Sequence, residues 1–300
     1  MATVAGGISS QLNDTGKPVP AASTLAGAYE SNGYYAPYAV ISETEAAEIL
    51  ADLQVAETEV AADRKRLSML RAYPARLLPA FDRLIRHPRL IEAMSQLIGP
   101  DLLVWGHGLF IKEADSPSYV SWHQDLNYWG LDGEDEVTAW VALTPATVEN
   151  GCMRFLPGSH RTKAVPHVDT FARDNLLSRG QEITVKVDEA QAVDVVLRAG
   201  QASFHHGHLI HASGPNRTPA RRVGVAIRYI SPAMQQTTGE KLLVAQVNGS
   251  DHYGHYNVAP PPLGRLLEED FERIRRNIEI KQGIIYKGVS AEQVKETPKA

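Results

Sequence analysis

With 300 residues, 43% of them hydrophobic and 22% charged, the chain has an ordinary globular composition and enough length to bury a sizeable core, which argues against a largely disordered chain. One cysteine excludes an internal disulfide framework and a cysteine-rich zinc module. A net charge of -5 gives no reason to expect a nucleic-acid partner, because phosphate binding needs clustered cations.

The opening residues lack the basic start and long apolar run of a secretory signal, and no stretch of about 18 apolar residues reads as a membrane span. The expectation is a cytoplasmic protein with no membrane partner. Residues 1–25, rich in Ala, Gly, Ser and Pro, read as a flexible arm. Tyr34 to Ile41 reads as an extended entry to the fold. Ser42 and Glu45 form a capping box ahead of Ala46, Ile49, Leu50 and Leu53 at helical spacing, so a helix is expected over 42–56. A short helix around Phe81, Leu84 and Ile85 should break at His87-Pro88. A second should run over 88–98 to Gly99-Pro100. Together these make a helical support over 42–98.

From about 102 to 247 the pattern changes to short runs rich in Val, Ile, Phe, Trp and Thr, separated by turn signals such as Asp132-Gly133, Asn150-Gly151, Pro157-Gly158 and Gly214-Pro215. This predicts a sandwich or barrel of antiparallel strands. Asn150-Gly151 is expected to make a tight hairpin turn. A last strand is expected through Lys241–Val247. A final helix over 263–280 would carry Leu266, Leu267, Phe271, Ile274 and Ile278 on one face, and 288–300 is a polar tail. The helices flank the strands, so no parallel α/β sheet is proposed, and 26–287 reads as one domain.

Chemistry concentrates in three segments. In Trp122-His123-Gln124-Asp125 the alternation of a strand would point His123 and Asp125 to one side. Four of the eleven histidines, His205, His206, His208 and His211, fall close together downstream. Any one of them, added to the first pair, completes a 2-His-1-carboxylate face suited to non-haem Fe(II), with positions left for a chelating cosubstrate and oxygen. Zinc fits the same ligands, but three protein ligands with wide access favour iron. The third segment, Arg217 to Tyr229, reads as a turn and a strand whose cations can clamp a carboxylate.

Trp-His-Gln-Asp, then Asn-Gly-Cys-Met-Arg-Phe-Leu-Pro-Gly-Ser-His, then His-Ala-Ser-Gly-Pro-Asn-Arg-Thr-Pro-Ala-Arg-Arg, in this order over about residues 100–260, resemble the phytanoyl-CoA dioxygenase family of Fe(II)/2-oxoglutarate oxygenases. The resemblance implies a mainly β fold with flanking helices, a double-stranded β-helix or jelly-roll barrel of the cupin type. It implies Fe(II), 2-oxoglutarate and O2, with ascorbate as a helpful reductant. It implies His123, Asp125 and, 88 residues after His123, His211 as catalytic iron ligands, with His208 as the fallback. Arg222, eleven residues after His211, matches the arginine that holds the far carboxylate of 2-oxoglutarate, and Ser213 matches a hydroxyl that assists it. Arg221 would point the other way on a strand, and a register shift of one would exchange the two. Asn216 fits the motif as a brace of the turn.

Other residues carry two readings. Lys112, on the strand before the iron motif, faces either 2-oxoglutarate or substrate, or is a surface lysine. Tyr128, Trp129 and Trp140 either wall a substrate pocket or fill the core. Cys152 reads as a small core residue. His160 and Arg161 follow the family pattern. The polar run from Asn248 to Tyr256, with His255, resembles a loop at the active-site mouth and a substrate contact. Retention of Asp125 favours hydroxylation over halogenation. The expected partner is a small molecule, a natural product or catabolic intermediate, and a homodimer is compatible with this reading. The competing readings are a cupin-like metalloenzyme that does not use 2-oxoglutarate and a non-catalytic jelly-roll binding protein.

Overall fold

The computed structural model describes residues 24–285; the arm expected over 1–25, but for Thr24 and Leu25, and the tail over 288–300 lie outside the described residues. The chain enters through α1 (Leu25–Asn32) and β1 (Tyr34–Ala39) and builds a helical layer from α2 (Glu43–Val60), α3 (Arg64–Ala72), α4 (Pro74–Leu77), α5 (Pro79–Ile85) and α6 (Pro88–Ile98). The capping box of α2 forms as read: Ser42 Oγ accepts from the Glu45 amide at 3.1 Å and the Glu45 carboxylate accepts from the Ser42 amide at 2.8 Å. Proline begins α4, α5 and α6, where its missing N–H costs nothing.

The strands follow: β2 (Leu102–Lys112), β3 (Val120–His123), β4 (Glu136–Ala142), β5 (Met153–Phe155), β6 (His167–Asp169), β7 (Gln181–Ile183), β8 (Val193–Val195), β9 (Gln201–His205), β10 (His211–Ser213), β11 (Arg222–Ile230), β12 (Leu243–Asn248) and β13 (Asn257–Val258), before the closing helix α7 (Glu268–Ile285). The protein is mainly β, with a large sheet of order β1-β9-β4-β11-β2-β12-β13, a smaller one of order β3-β10-β5-β8, and the pair β6-β7.

Alternation along the large sheet divides its faces. Val137, Ala139 and Val141 of β4 and Val223, Val225, Ile227 and Tyr229 of β11 pack with Leu53, Phe81, Leu84, Leu90 and Phe271 of the helices. Each fully buried Val, Leu, Ile or Phe among them contributes about 1.5–3 kcal/mol. The opposite face carries Thr138 and Trp140 of β4, His205 of β9 and Arg222, Ala226 and Arg228 of β11. These meet Val120, His123, Met153, His211 and Ser213 of the smaller sheet across a cavity with about 430 Å³ of empty space. The functional groups therefore lie between the sheets.

Two expectations need correction. Asn150-Gly151 does not join a hairpin, because β4 and β5 belong to different sheets. Only Gly151 takes a positive φ, of 75°, while Asn150 turns its side chain onto the Thr147 amide at 2.8 Å. The last helix begins at Glu268 instead of 263. Leu266 has φ 54°, which a right-handed helix cannot contain, and the acidic run Glu268, Glu269 and Asp270 then complements the positive end of the helix dipole.

Candidate metal centre

His123 ends β3 and His211 begins β10, and the two are direct partners across the smaller sheet. Asp125 does not reach the site by strand alternation as expected. The strand has ended, and Asp125, with φ -73° and ψ -48°, caps a short 3-10 turn over Leu126–Tyr128 that swings its carboxylate back. Its Oδ1 lies 3.3 Å from His123 Nε2, and one donor atom from each of His123, Asp125 and His211 lies within 4.8 Å of the others.

The imidazoles are oriented by the backbone. His123 Nδ1 lies 2.9 Å from the Ser121 carbonyl and 3.1 Å from that of His211, and His211 Nδ1 lies 2.9 Å from the Leu209 carbonyl. A carbonyl only accepts, so each Nδ1 carries the proton and each Nε2 keeps its lone pair free, the arrangement a metal requires. Burial, with the neighbouring His123 and His205, holds the His211 pKa well below the usual histidine range, which keeps the ring neutral. Burial works to raise the Asp125 carboxyl, but the adjacent His123 and the charge of Arg228 outweigh it and keep the carboxylate ionised. Two imidazole nitrogens and one carboxylate oxygen make a donor set that fits a divalent ion.

The other histidines divide cleanly. His205 lies inside against the His211 ring, centroids 4.8 Å apart, with neither nitrogen partnered. Burial lowers its pKa to about 4. His206 and His208 stack on each other on the far side, where His208 Nε2 sits 3.6 Å from Glu134. The fallback ligand His208 is thus turned away.

Arg222 lines the other end of the cavity, and Lys112 is its direct partner across β11 and β2. Arg222 is buried, its Nε has no partner, and its guanidinium lies 5.2 Å over the Trp140 ring. Lys112 donates to Ser213 Oγ and to the Gly214 carbonyl, and Ser213 Oγ donates to the Gly151 carbonyl at 2.8 Å. Burial and the facing Arg222 push Lys112 down to about 7, and burial pushes Arg222 down to about 10. Two cations face each other here with no acid between them, so this end of the cavity fits a carboxylate. Gly224 makes room for the arrangement: a Cβ there would fall inside the Trp140 indole. Asn216 braces the turn, donating to the carbonyls of Lys112, Glu113 and Ala220.

Trp140 lines this cavity, whereas Tyr128 and Trp129 line a second one that shares Phe110, His123, Asp125 and Arg228 with it. His255 is not brought to either; it stacks on Tyr253, centroids 5.6 Å apart, in a loop whose end, Tyr256, is buried against Trp105 and Trp129. His160 and Arg161 bond the carbonyls of Glu30 and Ser31 and so brace α1. Cys152 is a buried core residue, and burial raises its thiol to about 11. Arg228 and Lys281 were not singled out from the sequence. Arg228 carried a usable signal, lying six residues after Arg222 on the same face of an otherwise apolar strand.

A family model described as phytanoyl-CoA dioxygenase (PhyH) matches residues 29–224. A probable alpha-ketoglutarate-dependent hypophosphite dioxygenase of Stutzerimonas stutzeri is 28% identical over 152 residues, 50% of this chain and 52% of that protein, so the chain spans about half the length of this relative. An ectoine dioxygenase of Streptomyces avermitilis is 26% identical over 240 residues, 73% of this chain and 81% of that one. Among solved structures, the non-heme monooxygenase ThoJ in its apo form aligns with TM-score 0.78 and 35% identity, covering 91% of this chain and 98% of that one.

Proposed function

The chain belongs to the phytanoyl-CoA dioxygenase family, and from that premise we propose that it is an Fe(II)/2-oxoglutarate-dependent dioxygenase that hydroxylates an unactivated C–H bond of a small molecule. The observation that carries the reading is the pairing, in one cavity, of a three-donor face with an uncompensated cationic end. His123, Asp125 and His211 would hold the iron. Arg222 would hold the far carboxylate of 2-oxoglutarate through its planar fork, with Ser213 and Lys112 beside it. When bound, iron(II) and 2-oxoglutarate supply C–H oxidation by O2 coupled to release of succinate and CO2.

The protein's part is placement and exclusion. Phe110, Val120, Met153 and Ala226 give the cavity an apolar lining that keeps water from the reacting groups. The neutral His205 beside His211 adds no charge to the metal face. Trp140 supports Arg222 from below, so the carboxylate anchor is held before cosubstrate arrives.

The test is succinate release from 2-oxoglutarate with Fe(II) and ascorbate, screened against a metabolite library. Substrate-dependent succinate should appear with the wild type and vanish in both His123→Ala and Asp125→Ala. Undiminished activity in both variants would reject the assignment.

A further inference from the structure

The second cavity, with about 620 Å³ of empty space, is lined by His123 and Asp125 but not by Arg222. Its walls include Trp105, Phe110, Tyr128 and Trp129, and two cations enter it, Arg228 from β11 and Lys281 from α7. Lys281 Nζ lies 4.5 Å from the Trp105 ring centroid, and Arg228 Cζ lies 5.3 Å from that of Trp129. The two indoles are stacked with centroids 5.2 Å apart, so the cations rest on one aromatic platform. They also converge. A Cβ placed on Gly106 would touch both at ordinary contact distance, 3.5 Å from Lys281 Nζ and 3.8 Å from Arg228 Cδ, so the two side chains close over the same point of β2.

Neither cation makes an ion pair among the described residues, and Arg228 Nε is buried without a hydrogen-bond partner. Arg228 feels Asp125 and Glu136 at longer range, whereas the one charge that bears on Lys281 is that of Arg228, of like sign. Two like charges brought together in an aromatic cavity are unfavourable until an anion joins them. Salt-bridging acids are plentiful elsewhere: Arg66, Arg71, Arg86, Arg221 and Arg265 all have one. In this cavity the one lining acid, Asp125, lies outside ion-pair distance of both cations.

We propose that Arg228 and Lys281 form an oxyanion subsite for the substrate, which is accordingly a small molecule with a carboxylate or phosphoryl group on a flat apolar body. The inference rests on the oxygenase reading for the word substrate, but the subsite itself stands on its own geometry. The oxyanion would sit over Gly106 and the body would lie against Trp105, Trp129 and Phe110. That fixes which carbon reaches His123 and Asp125 by its distance from the anion. Burial and Arg228 lower the Lys281 pKa to about 7, and a bound anion would return it to the charged form.

The test uses the full chain loaded with Zn(II) and saturated with 2-oxoglutarate, so that Arg222 is already occupied. Tryptophan fluorescence follows titration with 3-phenylpropionate, phenyl phosphate and the neutral 3-phenylpropanamide. The expected result is that at least one of the two anions binds about tenfold or more tightly than the amide. Lys281→Met should abolish that preference, Lys281→Arg should keep it, and 2-oxoglutarate affinity measured by calorimetry should be unchanged in both. Which of the two anions binds distinguishes a carboxylate from a phosphoryl substrate. Equal binding of acid, phosphate and amide, no saturable binding, or a preference lost in Arg222→Met but kept in Lys281→Met would overturn the subsite. A Lys281-dependent preference in protein that takes up neither metal nor 2-oxoglutarate would instead overturn the oxygenase reading and leave the subsite standing.

Discussion

Arg221 and Arg222 are neighbours in the chain that leave the backbone toward opposite sides of the large sheet. Arg222 enters the cavity, over Trp140 and opposite Lys112. Arg221 turns outward to the helical layer, where its guanidinium grips Glu57 of α2 with two contacts of 2.7 and 2.8 Å. A one-residue slip of β11 would put the wrong arginine in each place and turn Val223, Val225 and Ile227 away from the helical core. The register of one strand thus couples the core to the carboxylate anchor.

Arg222 is therefore expected to govern cosubstrate affinity. A charge-assisted fork to a carboxylate is worth about 1.5–3 kcal/mol. Arg222→Met should raise the KM for 2-oxoglutarate by about 10–100-fold. Arg222→Lys should recover part of this, because a point charge cannot reproduce the bidentate geometry. An unchanged KM in Arg222→Met, measured by succinate release, would remove Arg222 from the site.

Glu57 should matter for stability and not for KM. Burial tends to raise its carboxyl, but the hydrogen bond and charge of Arg221, together with Arg71 at 2.9 Å, outweigh this and hold it below the usual carboxylate range. With both partners under one-quarter exposed, Glu57→Gln should cost about 1–3 kcal/mol at neutral pH. A depressed folded-state pKa adds stability above the unfolded value of about 4.3, and that stability is lost as pH falls through the folded value. Denaturant melts of the two proteins should consequently differ at pH 7 and converge in acid; curves that stay parallel to low pH would contradict the pairing.

Much of the site was legible because its signals are local. The capping box at Ser42, the apolar pattern of β11 and the His123–Asp125 pair act within short windows, His211 was reached only through the family resemblance, and that resemblance agrees with the match over residues 29–224. Asp125 joins the trio by a turn instead of a strand, a difference that residue spacing of two does not resolve. Lys281 was missed for another reason. It lies near the apolar face carried by Ile274 and Ile278, which is a sign of burial, but only the docking of α7 beside β2 brings it to Trp105. Tertiary placement of that kind leaves no mark in a local pattern. His255 shows the converse: a polar, glycine-rich loop read as an active-site mouth is stacked on Tyr253, outside both cavities.

The metal face should be separable from the other histidines. Asp125→Ala removes the one anionic donor and is expected to weaken Zn(II) or Co(II) binding by about a hundredfold or more. His208→Ala, whose ring faces Glu134, should bind the metal as the wild type does. Calorimetric titration of the metal-free protein decides between them, and equal losses in both variants would mean that the histidine cluster was assigned to the wrong sides.

Gly224 gives the sharpest test of how the carboxylate anchor is supported. It lies on β11 two residues from Arg222, and the Trp140 ring crosses the space its side chain would occupy. Trp140 is buried, so the indole has no open direction in which to yield. Gly224→Ala should therefore overpack the cavity at a cost of about 1–3 kcal/mol and tilt the platform beneath Arg222. Both the melting temperature and the affinity for 2-oxoglutarate should fall. Adding Trp140→Leu relieves the clash without restoring the platform, so the double variant should regain stability while its KM for 2-oxoglutarate stays high. If Gly224→Ala alone leaves stability and KM unchanged, the ring does not lie against that strand and Trp140 is not the support of Arg222.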